Sequence, residues 1–219
     1  MVTRLSTLIT AVLLVLGTEV WAGPNAGAAI LGEAGVIVKT IDCTMLSTEW
    51  CDELVPVIPS PGTRNYVAVY VGRAQTQDPL SIMQVDFGIE YTPAYEVTLL
   101  GYEWNGCGVP YFVYPTETWP ASGSGISVVW TTPQTGFVVL VGWLEVNVLT
   151  GYGPALFYLG DHPQRPAQVL DGNLNVDLLI GPSAVSHNGA PGWNQGCNPG
   201  DPVQVKPVTW SRIKAQYGP

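Results

Sequence analysis

Positively charged side chains are scarce in this sequence. Its 219 residues include eight lysines and arginines against seventeen aspartates and glutamates, which gives a formal net charge of −9. No run of basic residues occurs, so the chain has nothing with which to displace counterions from a phosphate backbone, and nucleic acid is excluded as a partner. A net negative charge fits an exported protein that stays soluble by self-repulsion.

Motifs that carry catalysis or hold metal ions are also missing. The sequence has no Gly-x-Ser-x-Gly segment, no phosphate-binding Gly-rich motif and no Cys-x-x-Cys pair. Its two histidines, His162 and His187, lie in Gly- and Pro-rich segments, where we expect surface loops. We therefore expect no catalytic residue, no metal site and no cofactor.

The composition leaves little material for helices. Only 11% of the residues are charged and 47% are hydrophobic, with 25 glycines and 19 prolines. Few lysines and glutamates disfavour amphipathic helices, and frequent turn formers favour short strands joined by loops. The chain is long enough for one domain with its own core. The prediction is an all-β antiparallel sandwich of about nine strands.

The first 22 residues have the pattern of a signal peptide. Arg4 precedes an apolar stretch over residues 5–17, and Ala22 is a small residue suited to cleavage. A retained membrane anchor is the alternative, but it needs about 20 apolar residues and Glu19 interrupts this stretch. No later stretch is long and apolar enough to span a membrane. We expect a secreted protein, extracellular or periplasmic, with a signal peptide at 1–22, a sandwich domain at 23–202 and a tail at 203–219 that forms a short helix.

The stretch from residue 82 to residue 104 organises the predicted sandwich. Large apolar residues alternate in it with polar or small ones, which is the period of a strand with one buried face. The apolar set is Val85, Phe87, Ile89 and Tyr91, and the set expected to face water is Asp86, Gly88 and Glu90. A corner at Pro93 leads to a second strand.

The remaining strands follow from the same periodicities and from turn residues. Residues 65–72 are apolar on both faces, which predicts a covered strand, and residues 137–148 predict a central one. A hairpin is expected to turn at Gly172 between apolar runs. Further strands are expected at 28–31, 35–40, 126–130 and 155–159, and loops or coil at 24–27, 105–120, 132–136 and 181–202.

Residues 85–97 resemble the strand–corner–strand unit of cohesin-like and carbohydrate-binding-module-like sandwiches of the immunoglobulin type in bacteria. The matching residues are Val85, Phe87, Ile89, Tyr91, Pro93 and Val97, and Thr92 stands where the family usually has Asp or Asn. The tail, with Trp210, Ile213, Lys214 and Tyr217, is similar to that of uncharacterised secreted proteins of environmental bacteria. The resemblance implies export and an immunoglobulin-like sandwich without a known activity, and no dockerin-binding residue carries over.

One pair of carboxylates invites a catalytic interpretation. Asp86 and Glu90 share a strand face, but four residues of strand span about 13 Å. The two carboxyls of a glycosidase lie roughly 5–9.5 Å apart. We therefore expect Asp86 and Glu90 to be two separate, solvent-facing acids.

A second polar set has the spacing of a calcium loop. Its members recur at every second residue and are Asp171, Asn173, Asn175 and Asp177. A calcium loop also needs Gly at its sixth position and an acid at its twelfth, where this chain has Val176 and Pro182. A half-buried strand explains the alternation as well, with Leu174, Val176 and Leu178 on its apolar face.

The aromatic residues are the most suggestive candidates for a binding site. Eight tryptophans and ten tyrosines accompany only four phenylalanines. Four of them surround the predicted 105–120 loop, namely Trp104, Tyr111, Tyr114 and Trp119. They either stack on sugar rings or cap one end of the sandwich with their polar tips in water. We predict a non-catalytic binding or assembly module with a protein or glycan partner; a glycan-binding module and a secreted hydrolase are the alternatives.

Export also predicts that the four cysteines form disulfides. Of three possible connectivities we favour Cys43–Cys51, which closes a short loop, and Cys107–Cys197, which ties a mid-chain loop to the C-terminal coil. Peptide mapping under non-reducing conditions is expected to find both pairs and no free thiol. A Cys51–Cys107 linkage would overturn this pairing.

Overall fold

The structure is a computed structural model that describes residues 23–34, 54, 56–57, 64–73, 78–92, 97–104, 110–148, 155–187, 192 and 194. The predicted signal peptide, the four cysteines and the C-terminal tail lie outside these residues. In the described part every regular element is a strand, and no helix there has the length and hydropathy to cross a membrane. The predicted all-β class is therefore confirmed.

Eleven strands make up the described part, in two antiparallel sheets. They are β1 (Ala29–Ala34), β2 (Arg64–Gly72), β3 (Leu80–Thr92), β4 (Val97–Trp104), β5 (Tyr111–Pro115), β6 (Ser124–Gly136), β7 (Val138–Val148), β8 (Ala155–Gly160), β9 (Gln168–Leu170), β10 (Val176–Leu178) and β11 (Ser183–His187). The smaller sheet has the order β1-β2-β7-β4. The larger sheet has the order β10-β9-β3-β6-β5, and β8 joins β3 to β11.

The core lies between the inner faces of the two sheets. Strand β3 contributes the predicted apolar set, whose members Val85, Phe87, Ile89 and Tyr91 are all buried. Strand β2 contributes Val67, Val69 and Val71 from the facing sheet. The face assignment of the apolar residues is therefore confirmed, and these side chains supply the hydrophobic stabilisation of the sandwich.

The second face of β2 is covered as well, as the sequence predicted. Ala68 and Tyr70 belong to a smaller apolar cluster on the outside of the smaller sheet, together with Leu31 and Leu54. The Tyr70 hydroxyl donates a hydrogen bond of 3.0 Å to Glu33. Burial raises the pKa of Tyr70, and the adjacent Glu33 carboxylate raises it further.

The prediction that Asp86 and Gly88 face water is wrong, and the sheet topology explains why. Strands β9 and β8 pair with the same edge of β3, β9 at Gln84–Asp86 and β8 at Gly88–Thr92. The chain between them, residues 161–167, must therefore leave the plane of the sheet. It crosses the outer face of β3 and covers Asp86, which is fully buried.

Two glycines make room for this crossing. Gly88 of β3 lies directly opposite Gly125 of β6. A Cβ atom at Gly88 would overlap the carbonyl oxygen of Asp161, and one at Gly125 would lie 2.8 Å from Cγ of His162. The crossing segment consequently buries His162, which is 4% exposed. The prediction of a surface histidine is wrong for this reason.

Several segments predicted as loops are strands because tertiary pairing overrides their turn residues. Strand β5 lies within the predicted 105–120 loop, and β6 continues through the predicted turn at Pro133. Strand β5 tolerates Pro115 because it is an edge strand. Strand β6 tolerates Pro133 because its pairing with β5 extends only as far as Trp130. Strand β11 lies in the predicted coil, where its small residues pair with β8.

The start of the described chain is also more ordered than predicted. Asn25 lies in the segment expected to be flexible, yet its side chain is fully buried and exchanges two hydrogen bonds with the backbone of Ser81, 2.7 and 2.9 Å long. Strand β1 runs through Gly32 and does not break there. Glycine suits this position because a Cβ atom would crowd Val185 and Leu159.

The crossing over β3 predicts a sharp difference between two glycine-to-alanine substitutions. Gly88→Ala is expected to destabilise the protein by about 1–3 kcal/mol, because the new methyl group meets backbone rather than a flexible side chain. Gly172→Ala is the matched control: its nearest atoms lie at 3.8 Å, and we expect a change within about 0.5 kcal/mol. Urea unfolding measures both, and equal effects would contradict the close approach at Gly88.

Candidate binding face of the larger sheet

The outer face of the larger sheet carries two rows of side chains that run across five strands. Strand register places them directly opposite one another. The first row, from β10 to β5, is Val176, Leu170, Gln84, Val129 and Phe112. The second row is Leu178, Gln168, Asp86, Ser127 and Tyr114. We call these ten side chains the outer face.

Apolar side chains are exposed at both ends of the outer face. Phe112 and Tyr114 are 56% and 60% exposed on β5, and Val176 and Leu178 are 51% and 61% exposed on β10. Leu174, in the turn that precedes β10, is 74% exposed. Its φ of 64° lies in the left-handed region, which is costly for a bulky residue. Each end of the outer face therefore exposes a small apolar group that is a candidate contact site.

The alternation predicted for β10 is inverted. We expected Leu174, Val176 and Leu178 to form a buried face, but the buried side chain of this strand is Asp177. Both carboxylate oxygens of Asp177 accept backbone hydrogen bonds, from Gly23 at 2.7 Å and from Asn25 at 2.9 Å. Because Asp177 turns inward to hold the start of the domain, the period of two forces its apolar neighbours outward.

The centre of the outer face is a buried polar network around Asp86. The Asp86 carboxylate accepts hydrogen bonds from the side-chain amides of Gln84 and Gln168, each 2.8 Å long. Nε of Arg165 lies 3.0 Å from Asp86 Oδ2. The same guanidinium donates to Ser127 at 2.8 Å, and the Arg165 side chain remains 40% exposed.

The geometry of this network does not suit proton transfer to or from a substrate by Asp86. Three donors occupy the Asp86 carboxylate, which is fully shielded from solvent, so it has no access to a substrate. Charge-assisted hydrogen bonds on both oxygens hold such a carboxylate in one geometry. The exposed part of Arg165 leaves guanidinium donors, whose charge Asp86 compensates, at the centre of an otherwise apolar and amide-bearing surface.

The four aromatic candidates do not form one surface. Trp104 is buried in the core and packs against Phe87, with ring centroids 6.0 Å apart. Trp119 is half-buried and lies 6.0 Å from Trp104 at an interplanar angle of 48°. Tyr102 packs against both rings. These rings close one side of the sandwich, and their tilt does not provide the flat exposed platform on which a sugar would stack.

The other two candidates lie on β5 and point in opposite directions. Tyr114 is on the outer face beside Ser127, whereas Tyr111 pairs with Trp130 and belongs to the inner side of the strand. Tyr111 is 37% exposed, because β5 is at the edge of the sheet. Pattern reasoning missed Phe112, the neighbour of Tyr114, because β5 was interpreted as a loop and no face was assigned to it.

The residues with calcium-loop spacing are separated in the structure. Asp171 accepts hydrogen bonds of 2.8 Å from the backbone of Asn173 and from the backbone and side chain of Asn175. Asp177 points to the opposite side of its strand. Throughout the described ranges no group of three or more histidine, cysteine or acidic side chains is arranged to hold a metal ion. The spacing therefore reflects a hairpin turn stabilised by Asp171.

Comparison with known proteins yields structural neighbours only. Neither a protein-family model nor a curated protein matches the chain. Among solved structures it is similar to a cohesin module of a family 33 glycoside hydrolase from Clostridium perfringens, with 16% identity over 58% of this chain and 87% of that module and a TM-score of 0.44. The sixth cohesin of scaffoldin B from Acetivibrio cellulolyticus, solved with a dockerin, has 12% identity over 74% of this chain and 99% of its own and a TM-score of 0.45.

A second cohesin of Acetivibrio cellulolyticus, a type II module of an adaptor scaffoldin, has 10% identity over 75% of this chain and 91% of its own, with a TM-score of 0.45. All three neighbours are cohesin modules, the kind of sandwich that residues 85–97 resemble in sequence. The all-β sandwich itself is established by the two sheets and their shared core.

The buried His162 predicts a pH dependence of stability. Burial lowers the pKa of His162, Arg165 lowers it further, and Asp86 partly offsets both. Below about pH 6.5 the unfolded chain gains a proton at this position that the folded chain resists. We therefore expect His162 to cost stability as the pH falls from 6.5 towards its folded pKa.

Comparison with His162→Asn isolates this contribution. The Asn side-chain carbonyl can replace Nδ1 of His162 as acceptor for the backbone N–H of Gln164. The unfolding free energy of the variant is expected to fall less steeply between pH 6.5 and 5 than that of the parent protein. Parallel curves for the two proteins would rule out a depressed pKa at His162.

Proposed function

We propose that this protein is a non-catalytic binding module that docks a protein partner on the outer face of its larger sheet. The observation that carries the proposal is the clustering of exposed Phe112, Tyr114, Val176 and Leu178 at the two ends of the outer face. Export through the predicted signal peptide would place the module at or outside the cell surface, where it assembles with that partner.

The chemistry of the outer face favours a protein surface as the ligand. Aromatic side chains and an arginine are the residue types enriched where proteins bind one another. The exposed groups at its ends are apolar, and its centre has amides, a hydroxyl and one exposed cation. The matching partner therefore presents two apolar contacts that flank a hydrogen-bond acceptor, which would bind the exposed part of the Arg165 guanidinium.

Rigidity of the outer face supports the same function. Its side chains lie on hydrogen-bonded strands and not on loops, and the Asp86 network fixes the crossing segment above β3. A surface already held in its binding geometry loses little conformational entropy on association. The strained, exposed Leu174 extends the β10 end, and exposed apolar residues in a costly backbone conformation are a sign of a functional contact.

Site-specific photo-crosslinking in the source organism tests this proposal. A photoreactive aromatic residue at position 114 or 178 is expected to give one saturable protein adduct that excess unlabelled protein competes away. The same probe at the exposed Glu103, on the smaller sheet, is the matched control and is expected to give none. Adducts of equal yield at all three positions, or none at 114 and 178, would contradict the proposal.

Substitution of Leu174 separates loss of contact from loss of folding. Leu174→Asn removes the apolar side chain and places at φ 64° a residue that tolerates this conformation. We expect the variant to be at least as stable as the parent protein while the crosslink from position 178 weakens. An unchanged crosslink from position 178 in the folded variant would show that Leu174 does not contact the partner.

A further inference from the structure

The buried Asp177 carboxylate lies against the backbone nitrogen of the residue that follows the predicted cleavage point. Its Oδ1 is 2.7 Å from the nitrogen of Gly23, and its Oδ2 is 2.9 Å from that of Asn25. We propose that Gly23 is the first residue of the mature chain and that its new α-ammonium group forms an ion pair with Asp177. The Asp177 carboxylate is then a binding site for the amino terminus that signal-peptide cleavage creates.

The charge of Asp177 supports this assignment. The residue is only 5% exposed, and a buried carboxylate is costly unless a cation compensates it. Arg73 interacts with Asp177 electrostatically, but its hydrogen bonds go elsewhere. Its Nη1 donates to the carbonyl oxygens of Pro24 and Ala26, 2.7 and 3.2 Å away. Its other terminal nitrogen contacts the carbonyl oxygen of Asp78. Arg73 thus serves backbone acceptors, and a charged amine at Gly23 would supply a cation in direct contact.

The identity of residue 23 fits the same arrangement. A Cβ atom at Gly23 would overlap Oδ2 of Asp177 and lie 2.9 Å from its Cγ. A larger residue at position 23 would therefore displace the Asp177 carboxylate from its present position. Ala22, the small residue immediately before it, ends the segment that the sequence predicts to be removed.

The surrounding contacts hold the proposed amino terminus in place. The backbone N–H of Ala26 donates to the carbonyl of Gly23 over 3.1 Å, which closes a turn. Asn25 is tied to Ser81 of β3, and Arg73 is tied to the carbonyls of Pro24 and Ala26. Because the turn is fixed at several points, little conformational freedom remains to be lost when the ion pair forms.

This proposal concerns maturation and does not depend on which partner the outer face binds. Uncleaved protein has an amide at Gly23, which donates one hydrogen bond and has no charge. Cleavage converts that amide into an ammonium group beside a buried carboxylate, so the interaction becomes charge-assisted. Removal of the signal peptide would therefore stabilise the folded domain directly.

A thermodynamic cycle tests the proposed ion pair. Four proteins are needed: chains that begin at Gly23 or at Ala22, each with Asp177 or with Asp177→Asn. The chain that begins at Gly23 is expected to have a folding equilibrium constant at least about tenfold larger than the chain one residue longer. Asp177→Asn keeps an acceptor but removes the charge, so the difference between the two starting points is expected to vanish.

Two results would overturn the proposal. One is equal stability of the chains that begin at Gly23 and at Ala22 with Asp177 intact. The other is mass-spectrometric evidence that the exported protein begins at a residue other than Gly23. Should the Asp177→Asn chains fail to fold, the first comparison and the mass of the exported protein still decide the question.

Discussion

The structure depends on the way in which β3 shares one edge between two strands. Strands β9 and β8 pair with consecutive parts of that edge, and the chain between them has to pass over the outer face of the sheet. The Gly88–Gly125 pair provides the space, and Arg165 in the crossing segment neutralises Asp86 beneath it. This one crossing buries an acid and a histidine on a face that would otherwise be open to water, and it divides the outer face into a covered part and an exposed part.

The buried carboxylates of Asp86 and Asp177 influence which side chains of the larger sheet face outward. Asp86 is paired with a side chain 79 positions later in the sequence, and Asp177 accepts hydrogen bonds from backbone nitrogens more than 150 positions earlier. Each determines which way its neighbours point. Because the Asp177 carboxylate points inward to its hydrogen-bond donors, Val176 and Leu178 point outward. The apolar β10 end of the outer face is therefore a consequence of how Asp177 is bound and not of hydrophobicity.

Aromatic residues have two separate roles in this sandwich. Trp104, Trp119 and Tyr102 pack against one another at one side of the core, where their tilted rings fill space between the sheets. Phe112 and Tyr114 stand on the outer face of an edge strand, where they are largely exposed. Proximity in sequence around one predicted loop did not distinguish these roles, because the two groups lie on different elements with opposite faces.

The sequence alone determined the all-β class, the apolar face of β3, the covered strand β2, the central strand β7 and the hairpin of β9 and β10. In these segments local periodicity and turn residues agree with the fold, so pattern reasoning suffices. Tertiary structure decided the rest: that β5 and β11 are strands, that Asp86, His162 and Asp177 are buried, and that Phe112, Tyr114, Val176 and Leu178 are exposed on one face. Most of these features arise from contacts between segments far apart in the chain, and in β10 the buried Asp177 reverses the usual alternation because distant backbone nitrogens bind it.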